Sequence, residues 1–199
     1  MVSPLRYQSP IELEYNQNVF CIKQKICIKG RNCGAKFNPD NKTFEPQTPI
    51  IMKIDNKKYR LVEYHFHVPA EHVINKKTYP AEVHYVFYDV TEKSDNHKIK
   101  NLDVCGGQNT EDEDILVIGR VINDTSCYTN LSTININIPD IYFEYDGSLT
   151  GTGDETTPVR WIVGEHPIKI SLNEINKVAK TARPTQPLDD RIILYSRDC

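Results

Sequence analysis

The sequence predicts a mostly β protein, α+β in the wider sense, folded as a single domain over residues 1–199 with few and short helices. Three observations predict it. Between residues 19 and 195, segments rich in β-branched and aromatic side chains alternate polar with apolar at period two. One stretch alone, after Ser171, is spaced like a helix. No repeat and no Pro/Gly-rich linker divides the 199 residues, a length that suits one sizeable core. Alternation by itself admits a sandwich as readily as one large sheet.

Taken in order, residues 19–29 alternate as a half-buried strand. Its Cys21 and Cys27 lie an even number apart and are expected on one side, in the core. Residues 37–49 are polar and Pro-punctuated, a loop. Residues 50–54 and 58–63 read as a hairpin across Asp55, Asn56 and Lys57. Residues 59–67 form a strand that ends before Pro69, and residues 81–88 form another. The acidic stretch 89–114 lacks apolar periodicity and reads as a surface loop. Residues 115–123 are a strongly apolar run, as in a central strand buried on both faces. Residues 131–138 alternate Ile with Asn and Thr, an amphipathic strand nearer an edge. Residues 167–170 are a short strand. Ser171 and Glu174 fit a capping box for a helix to about Lys180, with Leu172, Ile175 and Val178 as its stripe. Residues 192–195 are a last strand.

Bulk properties exclude several functions. A net charge of −3 with both signs interspersed gives no electrostatic case for nucleic acid or an anionic membrane. The cluster Lys23, Lys25, Lys29 and Arg31 is a solvated face. No run approaches the ~18 apolar residues of a membrane span. The N-terminus lacks the apolar core of a secretory signal, so the cytoplasm is the default, with secretion or attachment to a virion left open. The six cysteines show no Cys-x-x-Cys spacing and are expected as thiols. Sequons at Asn41, Asn123 and Asn130 are compatible with secretion. Oligomerisation stays open, since a terminal Cys199 could join two chains under oxidising conditions.

The chemistry lies in residues 61–88. His65 and His67 are two apart in a strand, so both point into one space. His84 shares a face with Glu82 in the next run, and Pro69, Asn75, Lys76 and Lys77 supply a reversal between the two. Three neutral imidazoles then converge on one point. Three protein ligands with a fourth position open is how a catalytic zinc is held, whereas a structural zinc is closed by four. Glu63 and Glu82 are suited to receive the second ring N–H of the ligating histidines.

The segment His-Phe-His-Val-Pro-Ala-Glu-His-Val-Ile-Asn-Lys-Lys-Thr-Tyr-Pro-Ala-Glu-Val-His, residues 65–84, resembles the zinc-site segment of the α-class carbonic anhydrases in its shorter, bacterial-type form. Gln8-Ser-Pro-Ile11, Tyr142-x-x-Tyr-x-Gly-Ser-Leu-Thr150 and Arg183-Pro-x-Gln-Pro-Leu188 resemble that family's other motifs, so the likeness spans about residues 7–195. Only seven residues precede Gln8, which implies that the family's N-terminal wrap is missing. The resemblance implies one central, largely antiparallel mixed sheet carrying a Zn2+ ion on His65, His67 and His84. It implies reversible hydration of carbon dioxide to bicarbonate and a proton by a zinc-bound hydroxide. Thr150 matches the threonine that accepts a hydrogen bond from that hydroxide, and Glu71 the buried glutamate that accepts a hydrogen bond from the threonine hydroxyl. Thr156 and Thr157 are the rival threonines, but counting back from Trp161 favours Thr150. Val86, Val117, Leu149, Val159 and Trp161 match the family's apolar substrate pocket. His72 matches a structural histidine, while His97 and His166 are expected at the surface.

Three departures stand out. The histidine that ferries protons in many members is Ala35 here, so no shuttle is expected. The usual Gln beside the first ligand is Glu63, which if ionised makes its imidazole a stronger donor. The loop after Thr150 is rewritten as Gly-Thr-Gly-Asp-Glu-Thr-Thr-Pro158. The competing function is an attachment module of the same fold that binds a surface glycan with weak or no catalysis. Retention of all three histidines with Thr150 and Glu71 favours the enzyme.

Overall fold

The computed structural model describes residues 7–15, 19–91, 114–151 and 157–196. Expectations for 92–113, Thr156, His97, Cys105 and Cys199 lie outside them. The chain begins β1 (Glu12–Leu13), β2 (Val19–Ile22), β3 (Cys27–Lys29), β4 (Ala35–Asn38) and β5 (Thr43–Pro46). It continues β6 (Ile51–Ile54), β7 (Lys57–Val68), β8 (Val73–Ile74), β9 (Ala81–Asp89) and β10 (Ile115–Asn123). A 3-10 turn (Leu131–Thr133) leads to β11 (Tyr142–Ser148) and β12 (Pro158–Lys169). Then come α1 (Leu172–Ile175), β13 (Lys180–Thr181) and β14 (Ile193–Ser196).

Twelve strands form one sheet, whose main path is β2-β14-β11-β12-β10-β9-β7-β5-β4. Strands β3 and β6 hang from β7, which β13 also joins. Most pairs are antiparallel, while β10–β12, β13–β7 and β14–β2 are parallel. This is the single mixed sheet, and the sandwich that alternation allowed does not form. β1 and β8 make a separate small ladder.

Both faces of the middle strands are covered. Tyr64, Phe66, Val83, Tyr85, Phe87, Leu116, Ile118 and Ile162 enter one apolar layer. Val86, Val117, Val121, Phe143, Val159, Trp161 and Val163 enter the other. Period-two alternation on β9 and β10 therefore separates two cores rather than core from water, which explains their near-continuous apolar character. The turn from β6 to β7 is built by Asp55 (φ 50°) and Asn56 (φ 64°), left-handed positions that Asn and Asp tolerate.

Six local expectations are corrected. Residues 37–49 hold the end of β4, the turn and all of β5 of a hairpin. Its polar turn is held by Asn38 Oδ1 accepting from the Asp40 amide (3.1 Å), while Phe37 and Phe44 pack across it with ring centres 4.8 Å apart. Residues 19–29 split between β2 and β3, which join different neighbours, β14 and β6. Cys21 and Cys27 are exposed, and the even positions Ile22, Ile26 and Ile28 take the core contacts instead. Residues 131–138 form no ladder. Ile134, Ile136 and Ile138 do reach the core, but Asn32 Nδ2 donates to the Ser132 and Ile134 carbonyls (3.3 and 3.0 Å) and Tyr64 donates to Leu131 (2.9 Å) in place of a neighbouring strand.

Residues 167–170 are not a separate element, since β12 runs unbroken to Lys169. The helix is one turn. The Ser171 side chain makes no cap bond, the Leu172 amide goes to Asp124 Oδ1 (2.9 Å), and Glu174 pairs with Lys177 (2.9 Å) instead of reaching back. The Val178 and Ala179 amides both donate to Ile175 (2.9 Å each), which closes the turn and sends residues 180–181 to β7.

Candidate metal centre

Strand pairing builds the centre. His65 lies directly across from His84 in the β7–β9 ladder, and His67 lies across from Glu82. All four leave on the face opposite Tyr64, Phe66, Val83 and Tyr85. The imidazole centres of His65 and His67 are 5.0 Å apart, those of His65 and His84 5.5 Å, and those of His67 and His84 4.7 Å. One ring nitrogen from each residue lies within 4.8 Å of the others. All three rings are buried.

Each ring is held from behind. His65 Nδ1 sits 3.1 Å from Glu63 Oε1. His67 Nδ1 sits 3.4 Å from the Thr181 carbonyl and 3.2 Å from Glu71 Oε1. His84 Nε2 lies 3.1 Å from Glu82 Oε1, though off the line of a hydrogen bond. That leaves Nε2 of His65, Nε2 of His67 and Nδ1 of His84 for the interior. Burial pushes His65 down to about 4 and His67 further still, so both are neutral near pH 7 with a lone pair to give. His67 Nε2 is buried with no partner, an expense that a protein ordinarily avoids. Three buried imidazoles and one orphaned donor atom fit a divalent, nitrogen-seeking cation such as zinc.

Behind the histidines, Glu82 is fully buried and shared. Its Oε2 accepts the amides of Glu71 (3.0 Å) and His72 (2.9 Å), and its Oε1 accepts from His72 Nδ1 (2.8 Å). Burial alone would raise the Glu82 carboxyl, but His72 and His84 hold it well below the usual range. The chain of contacts runs on from His72 Nε2 to the Tyr145 hydroxyl (2.7 Å), which donates to Ser9 Oγ (3.1 Å). His72 is thus tied inside the fold, whereas His166 is exposed. Gly119, across from His84 on β10, keeps this space open, since a Cβ there would come 2.7 Å from Glu82 Oε1.

Glu71 is nearly as buried, and its Oε1 accepts the Arg183 amide (2.8 Å). Burial raises it, opposed by His84, by a hydrogen bond from the Thr150 hydroxyl and by the Arg183 amide. Thr150 is itself buried, at the end of β11. Its rival Thr157 is half-buried, and its carbonyl takes the Leu149 amide (3.1 Å).

Val86, Val117, Val159 and Trp161 are buried in the layer on the histidine face, and Leu149 packs half-buried against it. The Trp161 ring stands 4.9 Å from the His84 ring, and its Nε1 donates to the Ser148 carbonyl (2.9 Å). Ala35 is half-buried on β4 against the other layer.

Sequence reasoning assigned no role to Arg183, Ser9, Tyr145, Gly119, Thr181 or Lys180. The first three stand in motifs already quoted, where their offsets were the available signal. Arg183 donates to the Ser9 carbonyl (2.8 Å) and Gln8 Oε1 (2.7 Å), locking one motif to another. Lys180 and Thr181 carried no sequence signal of a strand, because the helix was expected to run to about Lys180.

The family described as eukaryotic-type carbonic anhydrase matches residues 4–197. A carbonic anhydrase of Pectobacterium carotovorum is 24% identical over 213 residues, covering 94% of this chain and 73% of the relative. One from Nostoc sp. is 29% identical over 204 residues, covering 95% and 75%. The α-carbonic anhydrase of Thermovibrio ammonificans, solved with the inhibitor sulfanilamide, superimposes with a TM-score of 0.71 at 23% identity, over 94% of this chain and 86% of that one. A hyperthermostable carbonic anhydrase from a hydrothermal vent chimney gives 0.70 at 24%, over 96% and 88%.

Proposed function

The chain belongs to the eukaryotic-type carbonic anhydrase family, and on that premise we propose that it is a zinc enzyme that reversibly hydrates carbon dioxide to bicarbonate and a proton. The observation that carries this reading is the convergence of His65, His67 and His84, nitrogen donors buried on one face with an orphaned ring nitrogen among them. His65, His67 and His84 would hold a zinc ion without cancelling its charge, and the ion would supply Lewis acidity that makes water a nucleophile near neutral pH.

The protein's own residues do the rest. Glu63, the Thr181 carbonyl and Glu82 stand behind the three rings and fix which nitrogen of each faces the cation. Glu71, pinned by the Arg183 amide, accepts a hydrogen bond from the Thr150 hydroxyl. A Thr150 oxygen whose proton is so engaged can only accept on its other side. It therefore selects a nucleophile that still carries a proton and turns that nucleophile's lone pair toward the substrate. Carbon dioxide is small and apolar, and the walls we assign to it are Val86, Val117, Leu149, Val159 and Trp161. Ala35 has no titratable group, so proton export depends on small buffers.

Metal analysis combined with a carbon dioxide hydration assay tests the reading. One zinc per chain with hydration above the buffer rate is expected. A chain that binds zinc but does not hydrate, or does neither, would turn the reading toward the attachment module.

A further inference from the structure

We propose that the outer edge of β2 is a self-association surface, along which a second copy of this chain lays its own β2 antiparallel about a two-fold axis. β2 ends the main path of the large sheet, with β14 on its inner side and, among the described residues, no strand on its outer side. A strand edge of that kind offers backbone donors and acceptors to any chain that can lie along it. Apolar surface gathers at the same place. Five large hydrophobic side chains are exposed among the described residues, and three of them, Phe20 (60%), Ile192 (62%) and Leu188 (38%), line one hollow of about 680 Å³ beside β2. A fourth, Tyr15, lies against Tyr195 of β14 with ring centres 5.1 Å apart.

Charge at the two ends of the strand selects a second copy as the occupant. Glu12, Glu14, Asp189 and Asp190 line the hollow at the Val19 end, where Ile193 of β14 lies opposite Val19. A single guanidinium stands among them, that of Arg191, and its nitrogens are turned to the Gln8, Pro187 and Leu188 carbonyls. Beyond the Ile22 end stand Lys23 and Lys25, both exposed. Gln24 between them turns the other way, donating to Asp55 Oδ2 (2.5 Å) and accepting from the Tyr142 hydroxyl (3.0 Å). Antiparallel pairing sets the carboxylate end of each copy beside the lysine end of the other and brings the two Phe20 side chains toward the axis. Parallel pairing would set like charge on like charge. A two-fold contact uses the same patch on both copies and closes on itself, so it makes a dimer and not a fibre.

The test is sedimentation velocity on the full chain in reducing buffer, which excludes disulfide-linked pairs. A monomer–dimer equilibrium with a dissociation constant of roughly 1–100 μM is expected from so short an edge. Phe20→Glu should raise that constant at least about tenfold. The double variants Lys23→Glu/Lys25→Glu and Glu12→Lys/Asp189→Lys should each raise it by about the same factor, because each sets like charges across the contact. An equimolar mixture of the two double variants should dimerise again, to within about tenfold of the native constant, since both charge contacts are then restored with signs exchanged. No folding defect could produce that recovery. A native chain that stays monomeric at roughly 500 μM, a dimer indifferent to Phe20→Glu, or double variants that remain monomeric when mixed would overturn the proposal.

Discussion

Strands β7 and β9 carry two chemistries on opposite faces. Tyr64, Phe66, Val83 and Tyr85 point one way into an all-apolar layer. His65, His67, Glu82 and His84 point the other way and are also buried. The first face stabilises the fold mainly by removing apolar surface from water, and its tyrosine hydroxyls need only backbone carbonyls such as that of Leu131. The second is costly unless every polar atom finds a partner. The difference teaches what each face demands: close packing on one side, and a partner for each buried polar atom on the other. Glu82 shows how that expense is offset, with two amides and His72 on one carboxylate.

The largest expected break falls on the polar face. His84→Ala should weaken zinc by roughly a thousandfold, since each donor supplies a comparable share of a large binding free energy. Hydration activity should fall with it while the apolar layer stays folded, as zinc titration and near-UV circular dichroism would register. Phe66→Ala is the mirror experiment. It should cost about 3–5 kcal/mol in urea unfolding, with zinc affinity of the folded fraction changed less than about threefold.

Acid separates the faces without mutation. His65 titrates near 4 in the folded chain, below its ordinary value of 6.5, so its neutral form stabilises the metal-free fold above that ordinary value. About 3 kcal/mol should be lost as pH falls from 6.5 through about 4, before most carboxylates titrate. Unfolding curves of the zinc-free chain at several pH values check it, and a flat profile over that window would contradict the assignment. Gly119→Ala should be milder, weakening zinc about 10–100-fold by displacing Glu82 from behind His84. The smallest effect is kinetic: with Ala35 at the usual shuttle position, imidazole buffer should raise turnover severalfold at saturating carbon dioxide. Stopped-flow rates at two buffer concentrations would show it.

What was legible in the sequence follows the same division. Strand parity places His65 and His67 together without further information, and a single reversal brings His84 opposite. The family motifs reach Thr150 and Glu71, whose contact no local rule predicts because 79 positions separate them. Cys21 and Cys27 show the limit of parity. It tells which residues share a side and not which side is wet, and an edge strand with one open face decides against the thiols. Residues 131–138 show another limit. Their isoleucines alternate toward the core as expected, yet Asn32 and Tyr64 take the carbonyls that a neighbouring strand would otherwise bind. Lys180 and Thr181 were hidden by the helical stripe before them. Only the closure of that helix after one turn releases them to β7.

The central claim is that three imidazoles hold one zinc and leave a fourth position to something other than protein. A structure determined on zinc-loaded protein tests it most directly. The account predicts a single ion about 2.0–2.1 Å from one nitrogen each of His65, His67 and His84, with its remaining position outside the chain. A fourth protein ligand on the ion, or three rings turned apart with the ion elsewhere, would contradict it.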